Sequence, residues 1–180
     1  MRRLSAEEIR DSILAVNNSL NRDTMFGPSV FVPIPEEVLA GQSRPGAGWG
    51  QSSAKDRARR SIYIHVKRSL VVPMMASFDG ADTDASCPIR FVTTQPTQAL
   101  GMLNSDFINE QAEVFAKYLM AKAGSTLREQ VAVGLQRVAQ REPTTEEIER
   151  GVMLTELLQQ KYNLSPEVAL KQFCVMALNL

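Results

Sequence analysis

At 180 residues, with 44% hydrophobic and 22% charged side chains, the chain has the make-up of one core-forming domain. Lys plus Arg equals Asp plus Glu at 20 each, which argues against a general electrostatic affinity for nucleic acid or anionic membrane. No run of about 18 apolar residues occurs to span a membrane, and the start M-R-R-L-S-A-E-E-I-R lacks the apolar stretch of a signal peptide.

Ser5 followed by Glu8 forms a capping box ahead of Ile9, Ile13, Val16 and Leu20, and this spacing predicts a helix from about Ala6 to Leu20, weakened at Asn17 and Asn18. From Asn21 to Gly50 recurrent proline and glycine forbid a long regular element, leaving room for one helical turn at Pro35–Ala40. Trp49 lies among glycines, where a tryptophan usually anchors its loop by packing. Ser53 and Asp56 can start a helix, but Ile62, Ile64 and Val66 alternate with polar residues and favour a short strand at Ser61–Val66. Pro73 opens a turn, with Met74, Met75 and Phe78 as packing residues.

Pro96 marks a further helix start, continuing through Gln98, Leu100 and Leu103, with Leu100 expected in the core. Four longer helices follow. Ser105 caps the first, Thr126 with Glu129 and Thr144 with Glu147 make capping boxes for the next two, and Ser165-Pro166-Glu167 opens the last. Short connections make these antiparallel neighbours in a bundle-like array. The expected fold is mainly α: an irregular array of about five to six helices, a Pro/Gly-rich front segment and at most one short strand or hairpin. It is read as a single domain, a loop-rich lobe over 1–90 and a helical array over 91–180.

His65 is the one histidine, so any Ser-His-Asp or Cys-His arrangement would have to use it; its apolar surroundings favour a structural role. Asp79, Asp82 and Asp84 suggest a cation loop, but against the calcium-loop template Cys87 stands where glycine is needed and Thr93 where glutamate is needed. Turn-forming aspartates are the better reading. Arg57, Arg59, Arg60, Lys67 and Arg68 form a basic cluster that can bind an anion or pair internally with the acidic loop. The glycines of 41–50 match neither a phosphate loop nor a dinucleotide fingerprint, and no C-x-x-C motif is present. No cofactor or metal is expected in this chain. Cys87 and Cys174 can pair in an oxidising compartment, although two separate buried thiols are the default.

The run R-F-V-T-T-Q-P-T-Q-A-L-G-M-L-N resembles the signature of the planctomycete PSD-one domain, a domain of unknown function. R-R-L-S-A-E-E-I-R-D-S-I-L-A-V, M-F-G-P-S-V, R-R-S-I-Y-I-H-V-K-R-S-L, F-D-G-A-D, R-E-P-T-T-E-E-I and F-C-V-M-A-L-N-L add matches in the same order along nearly the whole chain. The resemblance implies a segment of a large exported, extracytoplasmic protein, often beside cytochrome c-like domains, with no established reaction. It also implies that this chain is the C-terminal part of the family domain, without the tail expected after Leu180. Motif positions carried over are Arg60, Tyr63, Arg68, Phe78, Asp79, Cys87, Arg90, Thr94, Pro96, Gln98 and Asn104. Val92-Thr93-Thr94-Gln95 departs from the usual T-N-T before the proline.

Physically, that signature reads as a structural corner, with Thr94 capping, Gln98 turned toward the preceding loop, and Arg90 tied to Asp79 or Asp84. The leading expectation is therefore a non-catalytic structural or interaction module whose partners are other domains of its parent protein. The alternative is a carbohydrate-processing or carbohydrate-binding domain, with Arg60, Arg68, Asp79, Arg90 and Gln98 as binding candidates and a polysaccharide or partner protein as ligand. Its site would lie between the basic cluster at 57–68 and the acidic loop at 79–84.

Overall fold

A computed structural model describes residues 3–84, 86 and 88–180. Among these the protein is mainly helical: α1 (Ala6–Val16), α2 (Glu36–Ala40), α3 (Ala54–Arg57), a 3-10 turn at Ser61–Tyr63, α4 (Pro73–Ser77), α5 (Pro96–Leu103), α6 (Asp106–Lys122), α7 (Leu127–Ala139), α8 (Thr145–Tyr162) and α9 (Pro166–Ala177). The residues divide into two compact units, one of 1–12 with 20–98 and one of 13–19 with 99–180.

In the first unit, irregular backbone is held by side chains instead of ladders. The Ser5–Glu8 capping box forms, the Ser5 N–H donating to Glu8 at 2.7 Å and the Glu8 N–H to Ser5 Oγ at 3.3 Å. Helices α2, α3 and α4 are of four or five residues and none buries a side chain. The small core consists of Ala6, Val30, Val32, Leu70 and Phe78 with the buried polar groups Arg10, Arg59, Ser61 and Gln98.

The expected strand at Ser61–Val66 does not form. Ser61–Tyr63 is a 3-10 turn, and the segment's one pairing is an isolated bridge of Ile64 with Val30. Two causes are visible. Asp11 Oδ1 takes both the N–H and the hydroxyl of Ser61 at 2.7 Å, so the strand's first donor is already used. Ile62 and Val66 are also 71% and 69% exposed, so no buried sheet face rewards their alternation.

Trp49 anchors its loop as expected. Its Nε1–H donates to the Val32 carbonyl at 3.0 Å, and its ring meets Phe31 and His65 edge-on, each at 5.6 Å between centroids. His65 lies 4.8 Å from Phe31. Its imidazole is one ring of a three-ring packing cluster, in keeping with the structural reading.

In the second unit, α9 packs against α6, α7 and α8. Its buried face is Ala169, Leu170, Phe173, Cys174, Val175 and Ala177, facing Ile108, Ala112, Phe115, Ala116 and Leu119 of α6 and Val131 of α7. The chain reaches Phe173 through two helical glycines. A Cβ on Gly134 would sit 3.1 Å from one edge of that ring, and a Cβ on Gly151 would sit 3.0 Å from the other. Glycine costs a helix about 1 kcal/mol relative to alanine; here it lets three helices close around an aromatic ring.

Helix α1 is shorter than its periodicity suggests. It ends at Val16 because Asn18 adopts φ 63°, a left-handed stop. Asn17 is buried and accepts from Ser19 while donating to Gln111 Oε1 at 2.8 Å. Arg137 then caps the helix end: its Nε donates to the Val16 carbonyl at 2.6 Å and its Nη2 to that of Ala15 at 3.2 Å. A cation on the last carbonyls also opposes the negative end of the helix dipole.

Both capping boxes are present, at Thr126–Glu129 and Thr144–Glu147. Ser105 stands at the N-cap of α6 without a side-chain bond, correcting its expected capping role. The Arg141 guanidinium holds the Glu147 carboxyl at about 2, with help from the Thr144 N–H. A carboxyl depressed in the folded state stabilises above its unfolded value of 4.5 and loses that contribution as pH falls toward 2. Glu147→Gln should therefore flatten the loss of stability between those values, read from urea midpoints across a pH series. An acid limb identical to that of wild type would contradict this capping bond.

Cys174 is fully buried, and removal from water pushes its thiol up to about 12. It forms no disulfide among the described residues. Cys87, its suggested partner, lies outside the described residues.

Candidate functional site

The binding candidates Arg60, Arg68, Asp79, Arg90 and Gln98 all belong to the first unit, but the three arginines do not converge on one another. Each head group has its own partner. Arg60 lies 3.6 Å from Asp11 Oδ2. Arg68 Nε donates to Asp84 Oδ1 at 2.8 Å, a pair exposed on both sides and thus worth little. Arg90 Nη1 donates to both oxygens of Glu7 at 2.8 Å. The expected tie of Arg90 to Asp79 or Asp84 is thus replaced by three separate pairings.

Asp79 and Gln98 do meet, through Thr93. Asp79 stands at φ 56°, a left-handed conformation that aspartate tolerates better than most side chains. Its Oδ2 accepts from Arg3 Nη2 at 2.7 Å and from the Thr93 N–H at 2.9 Å, and Oδ1 accepts the Thr93 hydroxyl at 3.0 Å. Arg3 completes the knot with bonds to the carbonyls of Phe78 and Thr93, and its guanidinium lies 5.6 Å from the Phe78 ring centre. The Thr93 N–H holds the Asp79 carboxyl below its usual range; burial opposes this and Arg3 reinforces it.

Gln98, 6% exposed, finishes the corner. Its Oε1 accepts from the Gln95 N–H at 3.1 Å, the return half of a capping box with glutamine at the third helical position. Its Nε2 donates to the Ser77 carbonyl at 3.0 Å. Thr94, the expected cap, is exposed, and the helix start is made by Gln98 instead. Leu100 is also exposed, at 57%, so its expected place in the core is corrected. On this short helix the buried first-unit residue is Gln98, whose amide pairs with two backbone groups, the Gln95 N–H and the Ser77 carbonyl.

Burial alone would raise the Glu7 carboxyl, but hydrogen bonds led by that from Arg90 hold it below its ordinary value. This is an anchored ion pair, not a poised acid. No group of three or more His, Cys, Asp or Glu side chains that could hold a metal ion occurs among the described residues.

A second knot lies in the same unit, and sequence reading missed its centre. Arg59 is 1% exposed. Its Nε donates to the Thr24 carbonyl at 3.3 Å and Nη1 to the Pro28 carbonyl at 2.9 Å, while the guanidinium stacks 4.3 Å from the Tyr63 ring centre. Its Nη2 is buried without a hydrogen-bond partner among the described residues. Arg10, also buried, donates to the carbonyls of Arg57 and Arg59 and to Ser61 Oγ, and burial lowers it to about 10. Of the basic cluster, Arg59 is therefore an internal strut. The hydrogen-bond acceptors named here for Arg3, Arg10 and Arg59 lie 31 to 90 residues away in sequence, so no local pattern announces them.

The chain belongs to the PSD1 family, a protein of unknown function (DUF1553), whose family model matches residues 1–155. That span contains both knots and every candidate residue other than Cys174. No curated protein and no solved structure matches the chain.

Proposed function

We propose that the chain is a non-catalytic structural or interaction module, one segment of a larger extracytoplasmic protein of planctomycete type. Its partners on this reading are other domains of the parent, cytochrome c-like ones among them, and it carries no cofactor of its own. The observation that carries the reading is the Asp79–Arg3–Thr93–Gln98 knot, in which the side chains best suited to bind a ligand are engaged with each other and with backbone carbonyls. A carbohydrate site would instead need the heads of Arg60, Arg68, Asp79 and Arg90 turned toward one open cleft.

Asp79→Asn isolates the charge, since asparagine also tolerates φ > 0. The variant should melt below wild type, and calcium, magnesium or neutral and acidic oligosaccharides should leave both melting temperatures unchanged. If one of these ligands raised the wild-type melting temperature but not that of Asp79→Asn, the knot would be a binding site and the module reading would be wrong.

A further inference from the structure

We infer that the buried guanidinium of Arg59 holds a small monatomic anion of the chloride class at its Nη2, beside the Gly27 tip. The site goes beyond the module reading and stands apart from it, since a structural ion takes part in no reaction and needs no partner domain. It begins from the basic cluster of 57–68, whose cations can face an anion or the chain's own carboxylates. Arg60 faces Asp11 and Arg68 faces Asp84, and both are exposed besides. Arg57 is half-buried, so its charge reaches water. Arg59 differs: it is 1% exposed and forms no ion pair among the described residues. The unit's other sheltered cations have carboxylates, Arg3 with Asp79 at 2.7 Å and Arg10 with Asp11 at 4.0 Å. Asp11 also serves Arg60 and both donors of Ser61, which leaves it no room for Arg59. The carbonyls of Thr24 and Pro28 and the Tyr63 ring soften the cation but carry no net charge. A unit charge held out of water without a countercharge costs far more than one lost hydrogen bond. A water molecule on Nη2 would supply the bond and leave the charge; an anion supplies both.

The geometry sets the kind of ion. Nε is given to the Thr24 carbonyl at 3.3 Å and Nη1 to that of Pro28 at 2.9 Å, while Nη2 is buried with no partner among the described residues. Carboxylates and phosphates grip a guanidinium best through two parallel N–H bonds. With two of the three nitrogens committed, the third suits a point acceptor. Access runs past Gly27. That residue is exposed, and the three atoms nearest to where its Cβ would sit all belong to Arg59: Nη1 at 3.4 Å, Nη2 at 3.5 Å and Cζ at 3.7 Å. Any side chain at this position would start over the end of the guanidinium, and φ 145° is a conformation that L side chains rarely adopt. The bare glycine thus brings the exposed tip next to the cation, with no side chain in between. Arg22, Asp23 and Ser29 flank the tip and are exposed. Asp23 is the rival counter-ion, but Asn21 Oδ1 holds its N–H at 3.0 Å and it makes no ion pair with Arg59.

The test follows Trp49 fluorescence through thermal melts in sodium gluconate, with sodium chloride substituted stepwise at constant ionic strength. The wild-type midpoint should rise by about 5 °C or more for each tenfold of chloride above half-saturation, and sodium bromide should act in the same way. Arg59→Met should melt lower and show no chloride dependence. Asp23→Asn, which keeps the backbone bond to Asn21, should retain it in full. Crystals of the wild-type chain grown in sodium bromide locate the ion without any variant: one anomalous peak should lie within hydrogen-bond reach of Arg59 Nη2. A wild-type midpoint indifferent to chloride, an equal chloride response in Arg59→Met, or bromide crystals with no peak at Arg59 would each overturn the site. So would a chloride-free midpoint that drops in Asp23→Asn alone, since Asp23 would then be the counter-ion. The Asp79→Asn melts are untouched by any of these results.

Discussion

Phe173→Ala will lower the stability of the second unit by about 3–5 kcal/mol, the range for removing a buried aromatic ring. The ring is 3% exposed and gripped at both edges, by Gly134 of α7 and Gly151 of α8. Its loss leaves a hole that neither glycine can fill. The complementary change tests the grip from the other side. Gly151→Ala gains about 1 kcal/mol of helix propensity, but its Cβ would meet Val131 Cγ1 at 2.6 Å and the Phe173 ring at 3.0 Å. Val131 is fully buried and β-branched, so it has no other rotamer to retreat into. The net effect should be a loss of roughly 1–3 kcal/mol, the usual cost of overpacking. The readout is the far-UV circular dichroism transition in urea, dominated by the long helices α6 to α9. If Gly151→Ala were neutral or stabilising, the three helices would not close around Phe173 as described.

Arg59→Met should destabilise the first unit by about 2–4 kcal/mol. Methionine keeps the unbranched apolar stem but leaves the carbonyls of Thr24 and Pro28 without their partner, each of which loses a charge-assisted bond worth roughly 1.5–3 kcal/mol. Relief from holding a cation out of water offsets part of that loss. Arg59→Lys should recover little, because a single ammonium cannot span the two carbonyls that the planar fork reaches. The single tryptophan, Trp49, belongs to this unit, so its fluorescence reports the transition separately from the helical signal. A fluorescence midpoint equal to wild type in Arg59→Met would show that the strut carries no load.

These two experiments also mark how far the sequence could be read. The capping boxes at Ser5, Thr126 and Thr144 were legible, since a cap is a local contract between residues three apart. The recurrent proline and glycine of 21–50 announced irregular backbone for an equally local reason. Leu100 and the proposed strand were misread because period and propensity describe what a segment could bury, not whether anything is there to bury it against. The turn of the Gln98 amide toward the preceding loop was legible too, but its partners Ser77 and Thr93 and its return bond from the Gln95 N–H come only with the fold.

The sequence by itself determined that this protein is mainly helical and where most of its helices begin. Those outcomes follow from hydrogen bonds and φ restrictions within four or five residues. Only the tertiary structure decided that Arg59 and Arg10 are buried, that Asp79 answers to Arg3, and that two glycines admit Phe173. Each depends on groups tens of residues apart, and a charge or a glycine looks the same in sequence whether water or another side chain surrounds it. Burial is a property of the neighbours, and the chain acquires its neighbours only by folding.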